Sequence, residues 1–269
     1  MAMKALLSEP ALNGIEIGST EWFTTQRSII SSRPLIRATY DRWYSTMLAD
    51  VQSVPAARRG KILEIGSGSG YVKTLNPDVI TSDVIPGNSD LVVDAQNLPF
   101  EDHSLRGILL THVFHHIPDV TRFLGEALRT LVDGGVITMV DVAHTPLSRL
   151  LFGRFHPEDY QSDAIGWSLD PSRPYGGANQ ALTWMLFKRD RQLFENRFPE
   201  LSLETIELLP WMGYLFSGGA TRRNLIPNAL ARIIVKLDSA AEVLNPICAL
   251  HWHIRIRKRG SPAEFSPDR

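Results

Sequence analysis

A short apolar strand that runs straight into alternating glycines constrains the fold of this chain more than any other feature. Lys61 to Ile65 is predicted to be a buried strand, and the turn after it carries Gly66, Gly68 and Gly70. Glycine lets a backbone turn tightly and approach a ligand closely because it has no Cβ atom. In open α/β sheets, ligands bind at the carboxyl ends of the strands. The turn therefore predicts a ligand site at the end of the first strand.

Strand and helix patterns alternate after the glycine turn. Further strands are predicted at Val79 to Val84, Leu91 to Val93, Gly107 to Thr111 and Val136 to Val142. Asp119 is placed to cap a helix between the last two of these strands, and Gly134-Gly135 is placed to end it. Such alternation predicts an α/β fold, with a mostly parallel sheet and helices on both faces.

Segments on either side of this core predict a cap over the site. Apolar side chains recur at helical spacing from Ile36 to Val51, which predicts a helix that begins near Pro34. The stretch from His144 to Ala181 is long, irregular and rich in Pro, Gly and aromatic residues, as is typical of a lid. We therefore expect an N-terminal helical cap segment at 1–58, an α/β domain at 59–259 with substrate-cap insertions at about 144–181 and 209–246, and a flexible tail at 260–269.

The composition argues against several classes of function. A net charge of −1 provides no basic excess for nucleic acid, and the single cysteine, Cys248, excludes internal disulfides and disfavours a cysteine-built metal site. No stretch approaches about twenty consecutive apolar residues, the length that spans a bilayer, and the start shows no signal-peptide pattern. We expect a cytoplasmic protein whose partner is a small molecule, and the oligomeric state stays open.

An acidic residue near the end of the second strand points to a ligand that contains ribose. A carboxylate at the position of Asp83 can accept hydrogen bonds from both ribose hydroxyls. A nicotinamide dinucleotide enzyme would use similar parts, but its fingerprint requires glycine or alanine where this chain has Tyr71. The remaining alternative is that the glycines serve only the geometry of the turn.

From Lys61 to Val142 the chain resembles the class I S-adenosylmethionine-dependent methyltransferases. The run from Glu64 to Gly70 is similar to the motif whose backbone meets the methionine part of the cofactor, and Asp83 is similar to the ribose-binding acid. Asp94-Ala95-Gln96-Asn97-Leu98-Pro99-Phe100 resembles the adenine-binding stretch, with the Asp94 side chain and the Ala95 amide facing the base. Leu131-Val132-Asp133-Gly134-Gly135 resembles the turn before the fifth strand.

The resemblance implies a Rossmann-like fold with S-adenosyl-L-methionine as cofactor and S-adenosyl-L-homocysteine as product. The chain departs from the family in the short link between Gly70 and Asp83, so we expect the first helix to be clipped or replaced by a loop. The cofactor-binding residues implied by the resemblance are Glu64, Gly66, Ser67, Gly68, Gly70, Asp83, Val84, Asp94, Ala95, Gln96, Thr111 and His112.

Histidines crowd the end of the fourth predicted strand, at His112, His115 and His116, and Asp141 ends the fifth. An imidazole titrates near neutrality and can take a hydroxyl proton, and a carboxylate can orient that imidazole. The arrangement resembles small-molecule O-methyltransferases, including those that methylate sugars on natural products. The resemblance implies catalytic roles for His115, His116 and Asp141.

Two other interpretations of these histidines stay open. A histidine can cap the turn or bond to a backbone carbonyl without any chemical role. A zinc site is the second alternative, although the spacing matches no common ligand pattern. Other branches of the family carry metal-binding acidic residues where this chain has His112 and His115, so a carboxylate metal site is not predicted.

Aromatic side chains on both sides of the core predict an acceptor pocket that excludes water. The candidate substrate residues are Tyr40, Tyr44, His144, Trp167, Tyr175 and Tyr214. The predicted function is methyl transfer to a small-molecule acceptor, in the first place a hydroxyl oxygen of a sugar, glycoside or other natural product. The alternatives are a protein that binds S-adenosylmethionine without turnover, and a C- or N-methyltransferase.

Overall fold

The computed structural model describes residues 8–172 and 174–260. Over these residues one seven-stranded sheet has the order β3-β2-β1-β4-β5-β7-β6. Its strands are β1 (Lys61–Ile65), β2 (Ile80–Asp83), β3 (Leu91–Val92), β4 (Leu105–Thr111), β5 (Leu131–Val142), β6 (Leu201–Leu208) and β7 (His251–Lys258). Neighbouring strands from β3 to β5 are parallel, whereas β7 is antiparallel to both β5 and β6. The predicted mostly parallel sheet is confirmed.

Helices cover both faces of this sheet. They are α1 (Thr20–Ser32), α2 (Pro34–Gln52), α3 (Val120–Thr130), α4 (Pro146–Phe155), α5 (Leu182–Trp184), α6 (Arg191–Arg197), α7 (Met212–Ser217), α8 (Ala231–Ala240) and α9 (Asn245–Cys248). The side chain of Asp119 caps α3, as predicted, by accepting a hydrogen bond from the N–H of Thr121 at 2.9 Å. None of the helices in the described ranges has the length and apolar character of a bilayer-spanning segment. The predicted tail lies outside the described residues except for Gly260.

Side chains of the central strands alternate between two buried apolar layers. Leu63 and Ile108 pack in the layer that contains α3, and Ile62 and Leu109 pack in the layer that contains α2. Burial on both faces is what a parallel sheet covered by helices requires. The two layers hold the carboxyl ends of β1, β2, β4 and β5 side by side at one edge of the sheet.

A 3₁₀ turn at Tyr71–Thr74 stands where a first helix would link β1 to β2. The expectation of a clipped helix is therefore confirmed. The hydroxyl of Tyr71 donates to Oδ1 of Asp41 on α2 at 2.7 Å. This hydrogen bond connects the short link between β1 and β2 to α2. The helix α2 therefore packs next to the glycine turn.

A buried ionic network joins α2 to the sheet. Oδ2 of Asp50 accepts a hydrogen bond from the Thr138 hydroxyl of β5 at 2.6 Å and lies 2.7 Å from Nε2 of His253 on β7. Its Oδ1 accepts from Arg255 at 2.9 Å. Burial alone would raise the pKa of Asp50, but the hydrogen bonds from His253 and Thr138 lower it below its ordinary value. The carboxylate therefore stays charged at the contact between α2 and β7.

Replacing Asp50 with alanine is expected to lower the free energy of unfolding by about 2 kcal/mol, because His253 and Arg255 lose a charged hydrogen-bond partner. For a chain of this size, the melting temperature should fall by roughly 4–8 °C. Thermal unfolding followed by circular dichroism measures the change. Asp78→Ala, at an exposed position, is the control and should melt like the parent protein. Equal melting of the two variants would contradict the structural role of the network.

Candidate active site

Three glycines in the left-handed region shape the turn after β1. Gly66, Gly68 and Gly70 have φ values of 64°, 47° and 63°, which L side chains adopt only with strain. The N–H of Gly68 donates to Oδ2 of Asp83 at 3.0 Å, and the N–H of Ser67 donates to the main chain of β2 at 2.8 Å. The turn is therefore fixed across the carboxyl ends of β1 and β2.

Asp83 closes β2 and bonds to the backbone on both of its oxygens. Oδ2 accepts from Gly68, and Oδ1 accepts from the N–H of Ile85 at 3.1 Å. A carboxylate oxygen has two lone pairs, so each oxygen can accept one further hydrogen bond. This capacity matches the two hydroxyls of a ribose.

A cavity of about 320 Å³ lies beside the glycine turn at the carboxyl ends of β1 and β4. The predicted site residues that line it are Tyr40, Tyr44, Gly66, Ser67, Gly68, Thr111, His112, His115, His116 and Tyr214. Its other lining residues are Gln26, Ile30, Ser69, Phe152, His156, Glu158, Gln180, Ala220 and Thr221. Most of this second set comes from α1 and from the segments after β5, whose sequences carry no recognisable motif.

The other cofactor candidates do not line this cavity. Glu64 is buried and accepts a hydrogen bond from the Tyr44 hydroxyl at 2.6 Å, and burial raises the pKa of Glu64 to about 7. Gly70 faces Arg27, whose Nη2 would lie 2.7 Å from an added Cβ. The candidates that follow the ends of β2 and β3, in part exposed to solvent, are Val84, Asp94, Ala95 and Gln96.

Two of the substrate candidates pack elsewhere. The ring of His144 stacks on Trp184 with 3.9 Å between centroids. Trp167 is buried, and its indole N–H donates to Asp190 at 2.9 Å. Neither side chain lines the cavity at the glycine turn. The side chain of Tyr175 lies outside the described part of the structure.

Two histidines and two carboxylates form a cluster in one wall of the cavity. Nδ1 of His115 lies 2.6 Å from Oδ1 of Asp141, which joins the turn after β4 to the end of β5. Nε2 of His115 lies 3.4 Å from Oε2 of Glu158, and Nε2 of His116 lies 3.6 Å from its Oε1. Gln180 donates a further hydrogen bond to Glu158. The sequence predicted His115, His116 and Asp141 but missed Glu158, which follows α4 in an irregular segment.

Charge within the cluster is distributed unequally between the two imidazoles. Burial alone would lower the pKa of His115, but Asp141 and Glu158 raise it to about 10. Burial would likewise raise the pKa of Glu158, but His115 and His116 lower it to about 2. Burial and the charge of His115 lower the pKa of His116 to about 4. At neutral pH, one imidazolium therefore lies between two carboxylates, and His116 is neutral.

The residues around the cavity fit a nucleoside that carries a sulfonium group. Asp83 does not line the cavity, but it accepts a hydrogen bond from Gly68, which does, and it has acceptor capacity for the ribose. The cluster's excess negative charge complements a sulfonium cation. Nε2 of His112 is buried and has no hydrogen-bond partner among the described residues, as expected where a ligand supplies the partner. His112 also has a φ of 57°, and such strained backbone is concentrated at ligand sites.

Comparison with known proteins finds similarity to methyltransferases. A family model described as a methyltransferase domain matches residues 63–139. Phthiotriol/phenolphthiotriol dimycocerosates methyltransferase 1 of Mycobacterium ulcerans (strain Agy99) is 33% identical over 101 residues. That match covers 30% of this chain and 37% of the relative, so this chain spans little more than a third of the length of the curated relative.

Solved structures of methyltransferases also resemble the chain. A methyltransferase in complex with the Trm112 activator from Haloferax volcanii has 15% identity and a TM-score of 0.48, over 85% of this chain and 94% of that chain. A S-adenosylmethionine-dependent methyltransferase from Thermotoga maritima has 18% identity and a TM-score of 0.45, over 84% and 98%. Phosphoethanolamine N-methyltransferase 2 of Haemonchus contortus, solved with S-adenosyl-L-methionine, has 14% identity and a TM-score of 0.41, over 81% and 53%.

The match to the domain model runs from β1 into β5. This part of the chain contains the glycine turn, Asp83 and the turn after β4 with its three histidines. The sheet, with its antiparallel β7, brings these features to the carboxyl ends of adjacent strands. Residues 63–139 are therefore similar to a methyltransferase domain.

Proposed function

We propose that this protein transfers a methyl group from S-adenosylmethionine to a hydroxyl oxygen of a small molecule, such as a sugar, a glycoside or another natural product. The observation that carries the proposal is the cluster of His115, His116, Asp141 and Glu158 in the cavity wall. A protein that only bound the cofactor would not need this cluster. Imidazoles supported by carboxylates suit the handling of a hydroxyl proton.

Residues near the glycine turn hold the cofactor. When bound, S-adenosylmethionine supplies a methyl group attached to a positively charged sulfur. The backbone of the turn and the carboxylate of Asp83 bind the methionine and ribose parts. The rings of Tyr40 and Tyr214 line the same cavity and give part of its wall an apolar surface. Alignment of the acceptor with the methyl group contributes much of the rate.

The cluster acts on the acceptor hydroxyl. His116 lines the cavity, and its neutral imidazole takes the hydroxyl proton as the oxygen–carbon bond forms and the carbon–sulfur bond of the sulfonium breaks, which leaves S-adenosylhomocysteine. Asp141 and Glu158 hold His115 as an imidazolium, which fixes its ring between them. The remaining negative charge of the cluster attracts the sulfonium cation of the cofactor.

The two insertions at about 144–181 and 209–246 are proposed to cover the acceptor half of the cavity. Both contribute lining residues, whereas the cofactor half is lined by the glycine turn and by residues at the end of β4. The lining residues from the insertions are Phe152, His156, Glu158, Gln180, Tyr214, Ala220 and Thr221.

The proposed activity is tested in two steps. Calorimetric titration with S-adenosylhomocysteine measures cofactor binding, and labelled S-adenosylmethionine offered with a panel of hydroxylated, amino and carbon acceptors measures transfer. We expect binding in the first step and labelled product from hydroxyl acceptors in the second. Binding without transfer to any acceptor would favour a binding protein, and labelled amines or carbon acceptors alone would refute the hydroxyl assignment.

Replacing Asp83 with alanine is expected to weaken binding of S-adenosylhomocysteine by about 1–3 kcal/mol, which is roughly 5- to 150-fold in Kd. The substitution removes the acceptor for the ribose and also the anchor of the Gly68 N–H. Calorimetry measures the change, with exposed Asp78→Ala as the matched control. Unchanged affinity in Asp83→Ala would exclude the ribose role.

A further inference from the structure

Nitrogen and oxygen atoms in the cavity wall already lie at the spacing of metal ligands. His115, His116 and Glu158 each offer one ligand atom, and these atoms lie within 4.8 Å of one another. The shortest separations between imidazole nitrogens and carboxylate oxygens are 3.4 and 3.6 Å. Ligands bound tetrahedrally at about 2.0–2.2 Å from Zn²⁺ are separated by about 3.3–3.6 Å. The three side chains are thus close to the geometry that an ion would require.

Neighbouring side chains orient these ligand atoms. Asp141 lies 2.6 Å from Nδ1 of His115, which leaves Nε2 directed at Glu158. A histidine that binds a metal almost always donates its other ring N–H to a carboxylate or carbonyl. Gln180 donates to the carboxylate of Glu158 and steadies it. The arrangement is that of a metal ligand set with its supporting hydrogen bonds in place.

The ligand set is open on the side of the acceptor. The side chain of His116 is 39% exposed, and all three ligand residues line the cavity. Two histidines and one glutamate leave a coordination position for water or substrate, as in catalytic zinc sites. We propose that His115, His116 and Glu158 bind a divalent transition-metal ion, best matched by Zn²⁺, and that its open position holds the acceptor oxygen.

An ion and a proton compete for the same nitrogen lone pairs of His115 and His116. In the loaded site the acceptor hydroxyl binds the ion, which lowers the pKa of that hydroxyl. Its proton would then pass to solvent through the open side of the cavity. The oxygen–carbon bond would form as the carbon–sulfur bond of the sulfonium breaks, with S-adenosylhomocysteine as the leaving group. This role of the ion rests on the proposed function, whereas binding of the ion does not.

Metal binding is tested on the full chain after tag removal and treatment with a chelator. We expect one Zn²⁺ per chain by calorimetry, and Co²⁺ absorption bands typical of a site with nitrogen and oxygen ligands. Loss of a supporting carboxylate typically weakens a metal site by about 10–100-fold, so Asp141→Asn should weaken binding by that amount. Glu158→Gln and His116→Gln each remove a ligand and should weaken binding by at least about tenfold.

Two controls make the result decisive. His103→Gln removes a largely exposed histidine outside the cluster and should bind Zn²⁺ like the parent chain. Thermal unfolding identifies the variants that fold. If Asp141→Asn does not fold, Zn²⁺ binding by Glu158→Gln and His116→Gln tests the site instead. Absence of stoichiometric binding, or equal binding by Glu158→Gln, would overturn the metal site. Titration of the same samples with S-adenosylhomocysteine reports separately on the proposed function.

Discussion

Replacing His116 with alanine is expected to lower turnover by about a hundredfold or more, the usual loss when a positioned acid–base group is removed. Its imidazole lines the cavity beside Glu158, where an acceptor hydroxyl can reach it. Affinity for S-adenosylhomocysteine should barely change, because the proposed cofactor contacts are made by Asp83 and the glycine turn. The measurement is single-turnover transfer from labelled S-adenosylmethionine to the acceptor found by screening, with calorimetry for the cofactor.

His103→Ala is the matched control for this loss. His103 precedes β4, so it lies at the opposite edge of the sheet from the cavity, and its side chain is 60% exposed. Its removal should leave turnover unchanged. Near-normal turnover of His116→Ala would remove the chemical role of the imidazole and leave alignment as the source of catalysis. If a chelator reproduces the loss in the parent chain, His116 acts as a metal ligand, and if it has no effect, His116 acts as the base.

The strand ends were the most predictable part of the candidate site. The glycine turn, Asp83 and Asp141 each sit where an apolar strand stops, and parallel strands bring such ends to one edge of a sheet. The contact between His115 and Asp141 follows from this rule, because β4 and β5 are adjacent and parallel. The apolar strand pattern and the rule that parallel strands end at one edge of the sheet are sufficient to predict where these residues lie.

Glu158 could not be predicted in this way. It lies in an irregular segment, and no periodicity fixes which way such a segment turns. Its place beside His115 depends on contacts made far apart in the chain, including the hydrogen bond from Gln180. The absence of Glu158 from the predicted set also explains why the sequence did not predict a metal site, because the third proposed ligand comes from the irregular segment after α4.

Aromatic candidates were less predictable because an aromatic ring suits a core as well as a pocket. Tyr40 and Tyr214 line the cavity, but Trp167 bonds to Asp190 in the packing of the cap. The last strand shows the same ambiguity. Polar and apolar residues alternate along β7, yet the polar His253 is buried against Asp50 because α2 covers it.

Replacing Gly66 with valine is expected to lower the free energy of unfolding by roughly 2–5 kcal/mol and to abolish measurable cofactor binding. The φ of 64° is strained for any L side chain, at about 1–2 kcal/mol, and forcing extra carbon atoms into a packed site adds about 1–3 kcal/mol. An added Cβ would lie 2.3 Å from Cγ2 of Val113. Val113 lies between His112 and His115 in the turn after β4, so relief of the clash displaces the glycine turn and this second turn, which both line the cavity.

Gly125→Ala is the matched control for this substitution, because an added Cβ there meets nothing within 4 Å and the residue lies inside α3. It should leave binding unchanged and stabilise the helix by about 0.5–1 kcal/mol. Combining Gly66→Ala with Val113→Ala separates the two causes at Gly66. The second substitution removes the crowding atoms but not the strain of positive φ, so stability should recover in part relative to Gly66→Ala alone. Full recovery would assign the whole effect to crowding, and normal melting and binding of Gly66→Val would show that the turn tolerates a side chain and does not require glycine.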